Sequence, residues 1–323
     1  MEKIRIGIVG YGNLGRSAQL AVEQMPDMQL VGIFSRRADK ISARSPVYPV
    51  EEALSLEDAV DVMLMCGGSF RDLPEQSPMF SRHFHIVDAF DNHDNIADHF
   101  AACHKGALET KHTAILCTGW DPGLLSLQRL LAKSILPQGK TYTFWGEGVS
   151  QGHSDAVRTI AGVQDARQYT IPIPQVVAAV GEGQTPDNTP EQMHRRMCYV
   201  VAQPGANIEY IRRKIVTMPH YFAPYETEVS FISQEEMDKN HNSLPHGGSV
   251  IHTGYTGNGI KQTMHFALKL DSNPAFTAAV LCAYARAACR LGKMGQFGAK
   301  SVLDIPPALL SPQSAETLRR ELL

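Results

Sequence analysis

The stretch Ile4-Arg5-Ile6-Gly7-Ile8-Val9-Gly10-Tyr11-Gly12-Asn13-Leu14-Gly15-Arg16 decides the fold. Its first six residues are mostly apolar and β-branched, which indicates a strand buried in a parallel sheet. Three glycines follow at once in the pattern G-x-G-x-x-G, and a helical pattern then runs to about Met25. A strand, a tight glycine turn and a helix N-terminus in this order predict a dinucleotide-binding unit.

Each glycine of the turn has its own role in such a unit. Gly10 allows the turn, Gly12 lets the backbone approach a pyrophosphate, and Gly15 lets the helix pack closely on the strand. The phosphates would lie on the N–H groups at the positive end of the helix. A glycine turn that binds no ligand is the alternative. The candidate cofactor contacts of this turn are Gly10, Tyr11, Gly12, Asn13, Leu14 and Gly15.

The second strand, read as 28–34, indicates which dinucleotide is bound. An NAD enzyme usually carries Asp or Glu at the end of this strand, where the carboxylate binds the ribose 2′-hydroxyl. Here the strand ends in Ser35, Arg36 and Arg37 instead. Two guanidiniums and a hydroxyl suit a 2′-phosphate, which favours NADP over NAD. An arginine in this loop, Arg37 above all, could also be only a solvated charge.

Length and composition place the chain among ordinary globular proteins. Its 323 residues suggest two domains, or one domain with a large insertion. The net charge of −3 gives no reason to expect a nucleic-acid partner. No apolar run has the length of a membrane span. The first residues already have the pattern of a strand, so we expect no signal peptide. The six cysteines form no C-x-x-C pair, so we expect reduced, buried thiols in a cytoplasmic protein and no metal site.

Further strands alternate with helices up to about residue 118, which predicts a Rossmann-type, doubly wound parallel sheet. The strands read as 60–66, 85–90 and 112–117 are each followed by small or polar residues. Ligands of such sheets bind outside the carboxyl ends of the strands. The candidate cofactor contacts at this edge are Cys66, Gly67, Gly68, Ser69, Asp91, Asn92, His93, Thr118, Gly119, Trp120, Asp121 and Pro122.

Two carboxylates, Asp91 and Asp121, follow successive strands at this edge. The loops there converge where a nicotinamide would lie, so both side chains are candidates for the catalytic site. Each could instead be a helix N-cap, since aspartate is a favoured cap. For Asp121, which precedes Pro122, capping is a serious alternative, and the two roles can coexist.

The pattern changes after a helix read as 122–136. Residues 146–155 read as a glycine-rich polar loop, and the stretches 166–172, 198–202, 225–231, 249–253 and 262–270 read as strands. This predicts an α+β domain with a mixed or antiparallel sheet. A long helix over about 274–293 and a tail ending in a short helix complete the chain. We therefore predict a dinucleotide-binding domain, 1–118 completed by 271–323, and a substrate-binding and dimerisation domain, 119–270.

The chain resembles, nearly end to end, the NADP-dependent meso-diaminopimelate D-dehydrogenases, bacterial enzymes of the lysine branch. The strings Trp120-Asp-Pro-Gly123 and Ser150-Gln-Gly-His-Ser-Asp155 are unusual and carry most of the specificity. The other matching segments are 10–16, 32–37, 91–93, 144–146, 245–248 and 270–274. The sequence departs from the family pattern in spacer segments, at residues 67–68 and 70–71.

The resemblance implies reversible oxidative deamination of meso-2,6-diaminopimelate at its D-centre, giving L-2-amino-6-oxopimelate, ammonia and NADPH. It also implies a homodimer built on the second domain. By resemblance, the substrate contacts are Asp91, Asp121, Trp145, Gln151, Gly152, Thr170, Arg196, His246 and Asn273. Taken singly, several of these residues have ordinary structural explanations, such as a core tryptophan at 145 or a helix cap at 273.

The residue types in this set suit a substrate with two ammoniums and two carboxylates. Acidic side chains can bind an ammonium, and Arg196, Thr170, His246 and Asn273 can bind carboxylates. Two other functions remain open. One is a related D-amino-acid dehydrogenase with another substrate, and the other is a non-catalytic NADP(H) sensor, which would need neither aspartate.

Overall fold

The computed structural model describes residues 3–219 and 221–323, and the chain forms two compact units. The first unit comprises Met1–Leu127 and Pro274–Leu323, and the second comprises Gln128–Asn273. The C-terminal segment therefore packs with the N-terminal part of the chain.

Strands and helices alternate in the first part of the chain and become irregular later. The strands are β1 (Ile4–Val9), β2 (Met28–Ser35), β3 (Val47–Pro49), β4 (Val62–Met65), β5 (His85–Asp88), β6 (Thr113–Leu116), β7 (Lys140–Trp145), β8 (Gly148–Ser150), β9 (Val163–Pro172), β10 (His194–Ala202), β11 (Glu226–Phe231), β12 (His246–Thr256), β13 (Ile260–Leu270) and β14 (Gly298–Ser301). The α-helices are α1 (Asn13–Gln24), α2 (Leu73–Phe80), α3 (Ile96–Glu109), α4 (Leu124–Ile135), α5 (Gln151–Arg158), α6 (Pro174–Gly181), α7 (Pro190–Met193), α8 (Ile208–Val216), α9 (Gln234–Asn240), α10 (Asn273–Lys293) and α11 (Ala315–Leu322).

The first unit is built on a parallel sheet. Within the described ranges it has seven strands in the order β14-β6-β5-β4-β1-β2-β3. Successive residues of each central strand point to opposite faces, and both faces are buried. Ile6 and Ile8 belong to the core that also contains α1 and α10, whereas Val9 belongs to the core with α2 and α3. Burial on both faces explains why these strands are continuously apolar rather than alternating. The predicted Rossmann-type sheet is confirmed.

The second unit, described except at residue 220, contains two smaller sheets. Four strands pair in the order β11-β10-β9-β8, and three strands pair in the order β13-β12-β7. The four-stranded sheet is mixed, because β11 runs parallel to β10 while the other pairs are antiparallel. One face of this sheet packs on α5 and α8, with Phe222 fully buried in that core. The predicted α+β character with a mixed or antiparallel sheet is confirmed.

One local prediction from the sequence is wrong, and one strand was not predicted. The segment read as a polar loop, 146–155, contains strand β8 and the first half of α5. The helix is hard to detect because Gly152 and several polar residues dilute its apolar stripe. Strand β14 was not predicted, since its four residues gain a partner only by pairing with β6, far away in sequence. No helix in the described ranges combines the length and apolar character that crossing a bilayer requires.

Candidate active site

The glycine turn after β1 has the geometry that its sequence predicts. Gly10 has φ of +90°, a region that favours glycine, and its N–H donates to the Phe34 carbonyl at 2.9 Å. A Cβ on Gly15 would lie 2.1 Å from the Gly10 carbonyl oxygen, so only glycine fits there. A Cβ on Gly12 would meet no atom within 4 Å. The turn thus leaves open space beside the N-terminus of α1, where a pyrophosphate fits.

The residues after β2 place two exposed guanidiniums at the same edge. Ser35 Oγ accepts a hydrogen bond from the Arg37 N–H at 3.1 Å. Arg36 Nη2 lies 2.5 Å from Asp72 Oδ1, and Asp72 Oδ2 accepts from the Gly68 N–H at 2.9 Å. Asp72 therefore ties Arg36 to the loop after β4. The donor set suits a 2′-phosphate, because no carboxylate follows β2 directly.

Strands β4, β5 and β6 are neighbours in the parallel sheet, so the loops that follow them share its carboxyl edge. The Asp91 N–H donates to Ser69 Oγ at 3.1 Å, which joins two of these loops. Asp91 is exposed and Asp121 is half-buried. The structure thus places the predicted cofactor contacts after β1, β2, β4, β5 and β6 along one edge.

A buried carboxylate that is not among the predicted site residues organises the loops after β5 and β6, which carry Asp91 and Asp121. Asp88 is completely buried at the end of β5 and accepts hydrogen bonds from Ser77 and His99 side chains, at 2.9 and 2.7 Å. Its other carboxyl oxygen accepts from the N–H groups of Phe90 at 3.2 Å and Cys117 at 2.9 Å. One side chain therefore fixes both the loop that carries Asp91 and the loop that carries Asp121. A polar residue ending an apolar strand was the only signal in the sequence.

The helix-cap interpretation of the two aspartates is wrong. Helix α4 begins at Leu124, three residues after Asp121. Asp91 precedes a short 3₁₀ helix whose N-cap is Asn92, and α3 has Asn95 as its N-cap. Neither carboxylate therefore occupies a cap position, and both remain candidates for chemistry.

In the second unit, strand pairing brings the predicted substrate contacts together. Arg196 pairs with Thr170 across β10 and β9, and Thr170 pairs with Gly148 across β9 and β8. Trp145 pairs with Gly248, two residues after His246. Gln151 and Gly152 begin α5 directly after β8, and the Asn273 N–H donates to the Leu244 carbonyl at 2.9 Å.

Two glycines permit this close arrangement. Gly146 has φ of +114°, and a Cβ there would lie 2.1 Å from the Thr170 carbonyl oxygen. A Cβ on Gly148 would lie 2.5 Å from His246 Cα. A side chain at position 146 would force the backbone away from Thr170, and one at position 148 would force it away from His246.

A buried histidine orients the Trp145 backbone. His194 Nε2 accepts from the Trp145 N–H at 2.9 Å, while His194 Nδ1 lies 2.9 Å from the Pro190 carbonyl oxygen. This pattern fits a neutral ring with its proton on Nδ1. Burial lowers the pKa of His194, which keeps the ring neutral. Burial likewise lowers the pKa of His246, so His246 is a neutral hydrogen-bonding group rather than a cation at neutral pH.

Arg196 supplies the positive charge of this cluster. Its side chain is only 8% exposed, and its Nη1 donates to Thr170 Oγ1. Burial lowers the pKa of Arg196 and Tyr225 opposes that shift, but a guanidinium stays charged in proteins. A buried cation held by the Thr170 hydroxyl and the ring of Tyr225 is suited to bind an anion such as a carboxylate.

Together these features define the class of protein. A Rossmann-type sheet with an open glycine turn, guanidiniums after its second strand and two aspartates at the same edge is typical of a dinucleotide-dependent oxidoreductase. The second unit contains a buried cation and neutral hydrogen-bonding groups, a set of donors that suits an acidic ligand.

Comparison with known proteins identifies the family. Residues 119–272 match the family model of the diaminopimelic acid dehydrogenase C-terminal domain. The meso-diaminopimelate D-dehydrogenase of Acetivibrio thermocellus is 55% identical, over 100% of this chain and 98% of the relative. The chain belongs to the meso-diaminopimelate D-dehydrogenase family.

Solved structures agree with this membership. The Corynebacterium glutamicum DAP dehydrogenase in complex with DAP is 46% identical, with a TM-score of 0.95 and all of both chains covered. An engineered D-amino acid dehydrogenase bound to NADP⁺ is 44% identical, with a TM-score of 0.89, over 99% of this chain and 100% of the other.

Proposed function

We propose that this protein catalyses the NADP-dependent, reversible oxidative deamination of meso-2,6-diaminopimelate at its D-configured centre. The products are L-2-amino-6-oxopimelate, ammonia and NADPH, which places the enzyme in the diaminopimelate and lysine pathway. The observation that carries the proposal is the 55% identity to a meso-diaminopimelate D-dehydrogenase across the whole chain.

The aspartates after β5 and β6 serve the reacting centre. NADP⁺, when bound, accepts a hydride from the D-configured α-carbon. Asp91 and Asp121 bind the ammonium on that carbon. One of them takes a proton, either from the ammonium or from the water that hydrolyses the imine. Hydrolysis of the imine consumes one water and releases the nitrogen of the D-centre as ammonia.

The second unit binds the carboxylates of the substrate. Arg196, Thr170, His246 and Asn273 donate hydrogen bonds to carboxylate oxygens, and Arg196 supplies the compensating charge. Gln151 and Gly152, at the start of α5, contribute a side-chain amide and backbone N–H groups. The Trp145 indole provides a flat apolar wall for the carbon chain.

The test is NADPH formation by purified protein with meso-diaminopimelate and NADP⁺. The LL isomer and NAD⁺ are the parallel controls. Turnover with the meso isomer and NADP⁺ only is expected. Turnover of another D-amino acid but not of diaminopimelate would favour the related dehydrogenase, and tight NADPH binding without turnover would favour the sensor. Neither alternative is favoured by the relatives.

Arg36→Ala is expected to raise the KM for NADP⁺ by roughly ten- to hundredfold, because charge-assisted hydrogen bonds to the 2′-phosphate are lost. The kcat and the KM for diaminopimelate should stay close to the values of the unmodified protein. Steady-state kinetics, with NADP⁺ and diaminopimelate each varied at a saturating concentration of the other, measures both KM values and kcat.

Arg320→Ala removes an exposed arginine in α11 and is the matched control. An equal KM for NADP⁺ in Arg36→Ala and Arg320→Ala would show that Arg36 does not bind the phosphate.

The protein also acts, in this proposal, as a cytoplasmic homodimer built on the second unit. Six free, buried cysteines suit a reducing compartment. The β12–β13 hairpin carries exposed apolar side chains, Tyr255 at 55% and Ile260 at 58%, that a second copy could cover. Sedimentation equilibrium tests the dimer, and a monomer at micromolar concentration would contradict it.

A further inference from the structure

The ring of Tyr225 lies against the buried guanidinium of Arg196. The distance from Arg196 Cζ to the ring centroid is 4.0 Å, within the range of a cation–π contact. Tyr225 immediately precedes β11, which pairs with β10 so that Arg195 faces Glu226. Arg196 therefore has Thr170 on one neighbouring strand, β9, and Tyr225 directly before the other, β11.

The polar groups around Arg196 leave part of its hydrogen-bonding capacity unused. Its Nε is buried and has no partner among the described residues. Its Nη1 is engaged by Thr170 Oγ1, which also accepts from Gln168 Nε2 at 3.4 Å. With both acceptor positions of the hydroxyl used, the Thr170 hydrogen remains for donation to another group. Arg196 and Thr170 therefore both offer donors, as recognition of a carboxylate requires.

An aromatic ring is a suitable support for such a cation. A carboxylate at the position of Tyr225 would neutralise Arg196 and compete with an acidic ligand for its N–H groups. The ring face instead attracts the cation through its quadrupole. The Tyr225 hydroxyl also interacts with the guanidinium, but it competes for the N–H groups far less than a carboxylate would. It also fixes the plane of the guanidinium, and the plane sets the direction of every N–H donor.

We infer that Tyr225 is a positioning residue for substrate recognition, whose ring holds the Arg196 guanidinium in the orientation that binds a substrate carboxylate. The inference rests on the proposed function, because it takes the dicarboxylate substrate from there. Tyr225 itself takes no part in proton or hydride transfer.

The first test compares Tyr225→Leu with Tyr225→Phe. Tyr225→Leu removes the ring, and the KM for meso-diaminopimelate is expected to rise about tenfold. The kcat should change by less than about twofold, because Arg196 holds a carboxylate and not the bonds that react, so its contact is equally strong in ground and transition states. The KM for NADP⁺ should not change. Tyr225→Phe keeps the ring and should restore the original KM.

The chain offers a matched control in the same strand region. The Phe231 ring, at the other end of β11, lies 5.3 Å from the Arg212 guanidinium, which is partly exposed. Phe231→Leu removes a contact of the same kind and should leave the KM for diaminopimelate unchanged.

A double-variant comparison separates positioning from general support of the fold. In an Arg196→Leu background, Tyr225→Leu should lower kcat/KM for diaminopimelate no further, because the ring then has no cation to orient. A structural role would persist in that background. Should Tyr225→Leu fail to fold, Tyr225→Met replaces it throughout, because methionine also lacks a ring but is longer and more flexible and fills irregular space better.

The possible results distinguish a failure of the proposed function from a failure of the inference about Tyr225. If the unmodified protein does not oxidise diaminopimelate, the proposed function fails and this inference fails with it. If the unmodified protein is active and Tyr225→Leu behaves like Phe231→Leu, only this inference is overturned. Equal losses in kcat and in both KM values, without rescue by Tyr225→Phe, would likewise overturn it.

Discussion

Asp91→Asn and Asp121→Asn are each expected to impair turnover of meso-diaminopimelate, and the variant that lacks the general base should lose about 10²- to 10⁴-fold in kcat. Asparagine keeps the size and a hydrogen-bonding oxygen but cannot take a proton. The other variant should lose mainly binding of the ammonium, and its effect should appear in KM. Steady-state kinetics with saturating NADP⁺ distinguishes the two effects.

Cofactor binding provides the internal check. NADPH binding, measured by the change in its fluorescence, should be largely retained in both variants. Asparagine keeps the size and a hydrogen-bonding oxygen of any cofactor contact made by these aspartates, and the glycine turn and the guanidiniums after β2 are untouched. Asp98→Asn, in the exposed first turn of α3, is the matched control and should be fully active. If both aspartate variants keep kcat within about threefold of the unmodified protein, neither carboxylate is the base.

The same pair of variants tests the non-catalytic alternative. A sensor that reports NADP(H) through a partner needs no carboxylate for proton transfer. Loss of turnover with intact NADPH binding therefore excludes the sensor. The pair also assigns the base, which the sequence and the burial of the two side chains leave open.

The cofactor edge could be predicted from sequence because its determinants are local. All of its features arise within one βαβ unit. They are the contact between Gly10 and Gly15, the open side of Gly12 and the exposed arginines after β2. Glycine spacing and strand pattern encode such features directly.

The supporting residues could not be predicted in the same way. Asp88 acts through Cys117, 29 residues away, and His194 acts through Trp145, 49 residues away. Tyr225 reaches Arg196 only because β11 pairs with β10. A buried histidine or tyrosine has the same appearance in sequence wherever it packs, so its role emerges only from the tertiary structure. The predicted contacts in the second unit accordingly follow from the family resemblance and not from residue spacing.

Asp27→Asn is expected to lower the free energy of unfolding by about 3–5 kcal/mol, since it leaves a buried guanidinium without its counter-charge. Arg286, in α10, is 2% exposed and binds both carboxyl oxygens of Asp27, at 2.6 and 2.7 Å. Its Nη1 also donates to the Leu310 carbonyl at 2.6 Å. The pair thus joins the loop before β2, α10 and the C-terminal segment of the first unit. Urea unfolding at neutral pH measures the loss.

The Arg5–Asp61 pair is the matched control, at 2.7 Å but with 37% and 28% of the side chains exposed. Asp61→Asn should lose no more than about 1 kcal/mol, because solvent screens an exposed pair. Equal losses in the two variants would show that burial of Arg286 does not determine the effect.

The pH dependence of the unfolding free energy tests independently whether the Asp27 charge stabilises the folded state. The hydrogen bonds from Arg286 hold the pKa of Asp27 below its ordinary value of 3.8. As pH falls, the unfolded chain therefore takes up the proton first, which favours unfolding. The stabilisation is complete above the ordinary pKa and is lost as pH falls through the lower pKa of the folded state. The difference in unfolding free energy between the unmodified protein and Asp27→Asn should be constant near neutral pH and shrink below about pH 4. A difference that stays constant into that acid range would mean that the Asp27 charge does not stabilise the fold.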